Sequence, residues 1–273
     1  MIHIEKIESF DLPALAPYQT MRRQLEHRTE GIFVAEGEKV VRRLLESKFT
    51  VVSVLMPEKW LGELSPLIEA RPERVEVFIA EKPLLEQLTG FSMYQGLLAV
   101  GKVPGILLME ELLAKSQPPR LFVAMEGLSS AENLGTIVRN CAAFGVQGLI
   151  VGETCSSPYL RRAVRSSMGT VFELPIVESR NLAHDLHRLR LEKILCIAAH
   201  PQPDSTLLWN TDLSGDCCIV VGSEGNGISA DILKCCDTAA AIPMAARVDS
   251  LNVGSATAAF LSEVSRQRGN IWK

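Results

Sequence analysis

No stretch of this 273-residue sequence approaches the roughly 18 consecutive apolar residues of a membrane-spanning helix. The opening residues MIHIEKIESFDL carry acids where a secretory signal has a basic segment leading into an apolar one, so a cytoplasmic protein is expected. Cysteine is missing from the first half. The seven present are Cys141, Cys155, Cys196, Cys217, Cys218, Cys235 and Cys236. None forms a CxxC pair, and the doublets 217-218 and 235-236 would direct adjacent side chains to opposite faces of a strand. They therefore read as reduced core thiols, with no metal site. An excess of positive charge is lacking too: 28 Lys+Arg against 32 Asp+Glu leave a net charge of -4, which argues against a general nucleic-acid binder. Internal repeats and low-complexity segments are absent. No GxxxxGK[ST] run occurs, and the first strong strand of the second half runs into EGLSSAENLG in place of a dinucleotide-binding glycine fingerprint.

What is present is an ordinary globular composition, 47% hydrophobic and 22% charged, on a chain long enough for two domains of roughly 100 to 150 residues. Pro13 and Pro17 suggest an irregular start over residues 1 to 17, followed by a basic helix from Tyr18 to about His27. Strand GIFVAEG at 31 to 37 precedes an amphipathic helix over 38 to 47, with Val40, Val41, Leu44 and Leu45 inward and Lys39, Arg42 and Arg43 outward. Strands at 49 to 56, 75 to 79 and 97 to 103, with helices near 58 to 70 and 81 to 89, complete an α/β unit over 1 to 105. The segment 106 to 119, with a short helix MEELLAKS before Pro118-Pro119, reads as the linker. Over 120 to 273 the alternation strengthens, with near-continuous apolar strands at 121 to 125, 148 to 151, 194 to 198, 218 to 221 and 239 to 242. Such strands belong in a parallel, doubly wound sheet covered on both faces.

Three of the turns after strands carry chemistry-bearing residues, and such turns are where α/β folds place their sites. In the first, Asn133 and Gly135 open a helix with Arg139 four residues on, a planar fork of donors suited to phosphate. Gly135 would let a substrate approach the backbone, and the apolar Ala142, Ala143 and Phe144 would set Arg139 at a buried boundary. A plain N-capped helix with a surface arginine is the competing account. In the second, Ser223-Glu224-Gly225-Asn226-Gly227 follows CIVVG. Without a lysine and with Glu224, this loop suits an uncharged or cationic ligand held by backbone groups. In the third, Ser250 and Asn252 flank Leu251 before a helix rich in Gly254, Ser255, Ala256, Ala258 and Ala259, small residues that admit a neighbouring helix or a partner subunit.

Taken together, NLGTIVRNCAAFGV, VVGSEGNGIS and IPMAARVDSLNVGSATAAF resemble, in order and spacing, the three motifs of the SpoU-TrmH branch of the SPOUT methyltransferases. VRSSMGTVFELPIV at 164 to 177 resembles the segment between the first two motifs. GIFVAEGEKVVRRLLE and YQGLLAV resemble, more loosely, the family's N-terminal substrate-binding domain of ribosomal-protein type. The resemblance implies a C-terminal parallel-sheet domain with a deep trefoil knot, a homodimer through that domain, and S-adenosylmethionine as cofactor, held by backbone at Ala199, Gly222, Gly227, Ile242 and Leu251. It implies methyl transfer to a ribose 2'-hydroxyl of RNA, ribosomal before transfer RNA, with Arg139, Asn133, Glu224, Ser250 and Asn252 in catalytic roles. Arg22, Arg23, Arg28, Lys39, Arg42 and Arg165 are the expected RNA contacts. An RNA-binding protein with an idle cofactor pocket is the alternative. Where the family often has SLNVSVA, this chain has SLNVGSA.

Overall fold

A computed structural model describes residues 3–89, 96–201, 205–223, 225–245 and 250–269. The described chain forms two compact units. The first comprises Met1–Gly105 and Pro158–Phe172, the second Ile106–Ser157 and Glu173–Lys273.

In chain order the elements are β1 (His3–Ile7), α1 (Ala16–Gln19), α2 (Gln24–Glu30), β2 (Ile32–Glu36), α3 (Glu38–Glu46), β3 (Val51–Met56), α4 (Leu61–Glu69), β4 (Glu76–Ala80), α5 (Lys82–Thr89) and β5 (Leu98–Lys102). There follow α6 (Met109–Lys115), β6 (Leu121–Met125), α7 (Ala131–Ala143), β7 (Gly148–Val151), α8 (Arg161–Ser166), β8 (Ile176–Glu178), α9 (Leu182–Leu191), β9 (Leu195–Ala199), β10 (Thr206–Leu207), β11 (Cys217–Val221), α10 (Ala230–Lys234), β12 (Thr238–Ala241) and α11 (Val253–Gln267).

The first unit is built on a mixed sheet ordered β1-β4-β3-β5-β2. The start of the chain is not irregular: β1 pairs in parallel with β4, and the prolines lie beyond it. A single basic helix over 18 to 27 does not form either. The chain breaks after α1, where the Thr20 hydroxyl donates back to the Ala16 carbonyl at 2.9 Å and lies 3.0 Å from His27 Nε2. His27 is thereby turned inward and buried. α3 buries the four residues expected. Arg42 and Arg43, expected outward, are half-buried, because Arg42 pairs with Glu38 and Glu63 and Arg43 Nη1 donates to the Met168 carbonyl at 2.9 Å. Segment Pro158–Phe172 contributes Tyr159 and Phe172 to an aromatic cluster with Phe33 and Phe49, ring centroids 5.3 to 6.1 Å apart. Phe33 lies on β2 and Phe49 precedes β3, so this segment completes the apolar face of that sheet.

The second unit has an all-parallel sheet ordered β10-β12-β9-β11-β6-β7-β8. Strands β8 and β10 are additional to those expected from the sequence. Both are short, two or three residues, and carry too little apolar pattern to stand out. Helices α6, α9 and α10 cover one face, packing Met109, Leu112, Leu186, Leu189 and Ile232 against Phe122, Ala124, Cys196, Cys218 and Val220. On β11 the intervening Cys217, Ile219 and Val221 alternate to the other face and are also buried, which is why the strand reads as an unbroken apolar run. From β6 the chain moves through β7 to β8 at one edge, then returns to lay β9 and β11 on the opposite side of β6. The carboxyl ends of β6 and β11 therefore adjoin at a topological switch point, where open α/β sheets form their ligand crevices.

Candidate active site

The first turn leaves β6 and enters α7 under a Ser130 cap, whose Oγ accepts from the Asn133 amide at 3.3 Å. α7 buries Leu134, Gly135, Ile137, Val138 and Cys141, which corrects two expectations. Gly135 lies in the buried stripe and offers no open backbone. Arg139 is exposed, because α7 ends at Ala143, itself exposed, and the buried stripe turns away from it. Among the described residues its guanidinium has no hydrogen-bond or ion-pair partner.

The second turn closes on itself. The Ser223 amide donates to the Gly227 carbonyl at 3.1 Å, the Gly227 amide to the Ser223 carbonyl at 2.9 Å, and the Asn226 amide to Ser223 Oγ at 3.1 Å. Gly222 has to be glycine here, since a Cβ would collide with the Gly227 carbonyl group, and Gly227 itself adopts φ 65°. Glu224 lies outside the described residues.

The third turn begins α11 with Asn252 as its cap. Oδ1 accepts from the Gly254 and Ser255 amides at 2.9 and 3.4 Å, while Nδ2 donates to Asn133 Oδ1 at 3.0 Å. Asn140 Nδ2 adds a bond to the Gly254 carbonyl at 2.8 Å. A Cβ at Gly254 would meet Thr136 Cγ2 at 2.8 Å, so the glycine serves the close packing of α11 on α7 within the chain. The first and third motifs are thus bound side chain to side chain.

Between the second and third turns, at the carboxyl ends of β9, β11 and β12, lies a cavity of about 280 Å³. All five expected cofactor positions, Ala199, Gly222, Gly227, Ile242 and Leu251, are in its wall, as is Ser250. Asn133, Arg139 and Asn252 are not wall residues; Asn133 and Asn252 connect to it through the Leu251 turn. His200, Asn226, Met244 and Phe260 line it unforeseen. His200 follows the end of β9 directly and could have been marked by its place beside Ala199. Phe260 comes from the middle of α11, and only the packing of that helix brings it there. Among the described residues, none in the wall is Lys, Arg, Asp or Glu.

Of the six residues expected to contact RNA, all in the first unit, Arg22, Arg23, Arg28, Lys39 and Arg165 are exposed and Arg42 is half-buried. Arg23 pairs with Glu26 at 3.2 Å, and Arg42 is held by Glu38 and Glu63 at 3.5 and 3.2 Å. Arg165 pairs with Glu36 at 2.9 Å, and Arg161 grips the same buried carboxylate. Glu36 was not foreseen, because nothing in FVAEGE distinguishes it from the exposed acids nearby. All seven cysteines are free thiols. Burial raises Cys141, Cys155 and Cys218, and pushes Cys217 up to about 11 and Cys236 up to about 12, so they stay protonated at neutral pH. Among the described residues no three His, Cys, Asp or Glu side chains are grouped to hold a metal, and no helix is long and apolar enough to cross a membrane.

The 23S rRNA (guanosine-2'-O-)-methyltransferase RlmB of Shewanella oneidensis is 32% identical over 209 residues, 75% of this chain and 84% of that protein. An uncharacterized tRNA/rRNA methyltransferase of Mycobacterium tuberculosis is 29% identical over 246 residues, 89% of this chain and 83% of its own. Among solved structures, the SpoU methyltransferase AviRb of Streptomyces viridochromogenes in complex with AdoMet aligns with a TM-score of 0.81 at 25% identity, covering 93% of this chain and 97% of that one. An AdoMet-bound rRNA methyltransferase from Sinorhizobium meliloti shares the fold, with a TM-score of 0.83 at 23% identity over 96% and 98% of the two chains. The pattern of the SpoU rRNA Methylase family matches residues 120–262, which contain all three turns and the cavity between them, and the chain belongs to that family.

Proposed function

We propose that this chain transfers a methyl group from S-adenosylmethionine to a ribose 2'-hydroxyl of RNA, and that its substrate is ribosomal RNA. The observation that carries this is the cavity: five expected positions, from the end of β9, the second motif and the third, converge on one wall. The wall suits the cofactor. Glycine and alanine at 222, 227, 199, 240 and 241 leave main-chain groups open to an adenosyl moiety, and the described wall residues, none of them basic, fit a cationic sulfonium where a nucleotide phosphate would go unmatched. The similarity to the Shewanella oneidensis enzyme supports ribosomal RNA as the substrate.

S-adenosylmethionine supplies an electrophilic methyl group when bound. The chain's own residues must present the hydroxyl and remove its proton. Arg139, exposed and without a partner among the described residues, grips the phosphate beside the target ribose and orients the hydroxyl. A guanidinium stays protonated at neutral pH, so the phosphate or a water takes the proton. Ser250, exposed at the cavity rim, contacts the ribose, and Glu224 is the hydrogen-bond acceptor that the family resemblance assigns. Asn252 and Asn133 hold one another and set the Leu251 turn.

The same reading gives residues 1 to 105 the task of binding RNA, through Arg22, Arg23, Arg28 and Lys39, with the methyltransferase domain over 120 to 273 reached through segment 106 to 119, expected as a linker, whose helix α6 packs on the sheet of the second unit. It includes a trefoil knot in the second unit and a homodimer through it. The α11 face bearing Ser255 and Ser262, exposed, with half-buried Ala258 and Ala259, supports the dimer.

The test is transfer of labelled methyl to unmodified ribosomal RNA and, separately, to transfer RNA, by wild type and Arg139→Ala. Label in 2'-O-methyl nucleotides of ribosomal RNA, lost in the variant, is the expected result. Label in transfer RNA alone moves the substrate to that class. Cofactor binding without transfer to either RNA favours an RNA-binding protein with an idle pocket.

A further inference from the structure

The loop that forms one rim of the cavity is closed by the bonds among Ser223, Asn226 and Gly227. Its entry is fixed by β11. Its exit is fixed at Ser229, and there a single carboxylate from another motif intervenes. Glu126, the residue directly after β6, accepts from the Ser229 amide at 2.8 Å through Oε2 and from Ser229 Oγ at 2.7 Å through Oε1. The Glu126 amide donates to the Val221 carbonyl at 2.9 Å, so its backbone is pinned to the strand that enters the loop while its side chain holds the residue that leaves it. Ser229 Oγ, with its proton given to Glu126, accepts from the Ile232 amide at 3.3 Å and caps α10. Both oxygens are used and both bonds are charge-assisted; a glutamine could keep the two contacts in neutral form, its NH2 donating to the remaining lone pair of the Ser229 hydroxyl, whereas an alanine removes both.

We propose that Glu126 is a positioning residue for cofactor binding, a latch that fixes the rim loop through Ser229 without itself touching the ligand. It is absent from the cavity wall, whereas Gly222, Ser223, Asn226 and Gly227 of the loop it closes are present. The proposal rests on the cofactor reading above for its functional consequence, and on the two bonds alone for the latch.

Two measurements test it. In cofactor-free protein, hydrogen exchange of the amides of 222 to 229 is compared between wild type and Glu126→Ala. Loss of both charge-assisted bonds should speed exchange there by about tenfold while β6, β7 and α9 stay unchanged. Unchanged exchange in the loop overturns the latch. In steady-state transfer, Glu126→Ala and Ser229→Ala should each raise KM for S-adenosylmethionine by about tenfold with kcat little altered, and the double variant should be no worse than the more affected single. A loss of kcat at unchanged KM, or additive losses in the double variant, overturns it. Should wild type bind no S-adenosylmethionine, the cofactor reading falls, and the exchange comparison still decides the latch.

Discussion

Asn252 donates from Nδ2 to Asn133 Oδ1 at 3.0 Å across 119 positions of sequence, while its Oδ1 caps α11 through Gly254 and Ser255. One amide thus performs two tasks that substitution can separate. Asn252→Asp keeps an acceptor for the cap, where Asp and Asn are equivalent, and loses the donor to Asn133. Thermal stability should remain within about 2 °C of wild type, under the shift that about 1 kcal/mol brings, while methyl transfer falls. Asn252→Ala should lose both, with a cap cost of about 1 kcal/mol. Calorimetry and transfer assays on the two variants check this; full activity in Asn252→Asp would show that the link to Asn133 is dispensable.

Gly222→Ala places a methyl group against the Gly227 carbonyl, and backbone cannot yield as a flexible side chain can. The rim loop must shift, so cofactor affinity should drop by about tenfold or more, the scale of about 1.4 kcal/mol. Gly225→Ala is the control, since a Cβ there meets open space. Titration calorimetry with S-adenosylmethionine distinguishes the two, and equal affinities would contradict the assigned geometry.

Glu36 is buried between Arg161 and Arg165, and removing it strands a largely buried Arg161. Glu36→Ala should destabilise the first unit by about 3 kcal/mol, the cost of taking one partner from a buried ion pair. Arg165→Ala, at a side chain 58% exposed, should cost under about 1 kcal/mol. Denaturant unfolding of both variants provides the comparison.

His27 is held below its ordinary value, chiefly by burial, with Glu30 and Glu26 opposing the shift. The folded state therefore takes up its proton at lower pH than the unfolded state does. Stability from this residue is complete above about pH 6.5, the unfolded value, and is lost as pH falls toward the lowered folded value. The first unit of His27→Gln should show a flatter stability profile over that window. An unaltered slope would mean that His27 protonates alike in both states.

The alternation of strands and helices was legible because burial on both faces of a parallel sheet writes itself as apolar runs such as GLIV and CCIVV. The positions Ala199, Gly222, Gly227, Ile242 and Leu251 were named through the family resemblance, and they share one cavity wall because the sheet order sets β9, β11 and β12 side by side. The sequence alone likewise determined the family, through three motifs in order. Other features depend on partners far away in the chain. β1, β8 and β10 are strands because of the neighbours they pair with, and their few residues carry no pattern of their own. Segment Pro158–Phe172 lies between two strands of the second sheet yet joins the first unit, because Tyr159 and Phe172 find their apolar partners in Phe33 and Phe49. Local spacing could not show that Arg139 would be exposed and Gly135 buried, since the orientation of α7 is decided by its packing on α11. The latch from Glu126 to Ser229 and the bond from Asn252 to Asn133 exist only once the sheet order has laid β6 beside β11 and α7 beside α11. Periodicity records which side of an element is buried, and the tertiary structure alone decides what it is buried against.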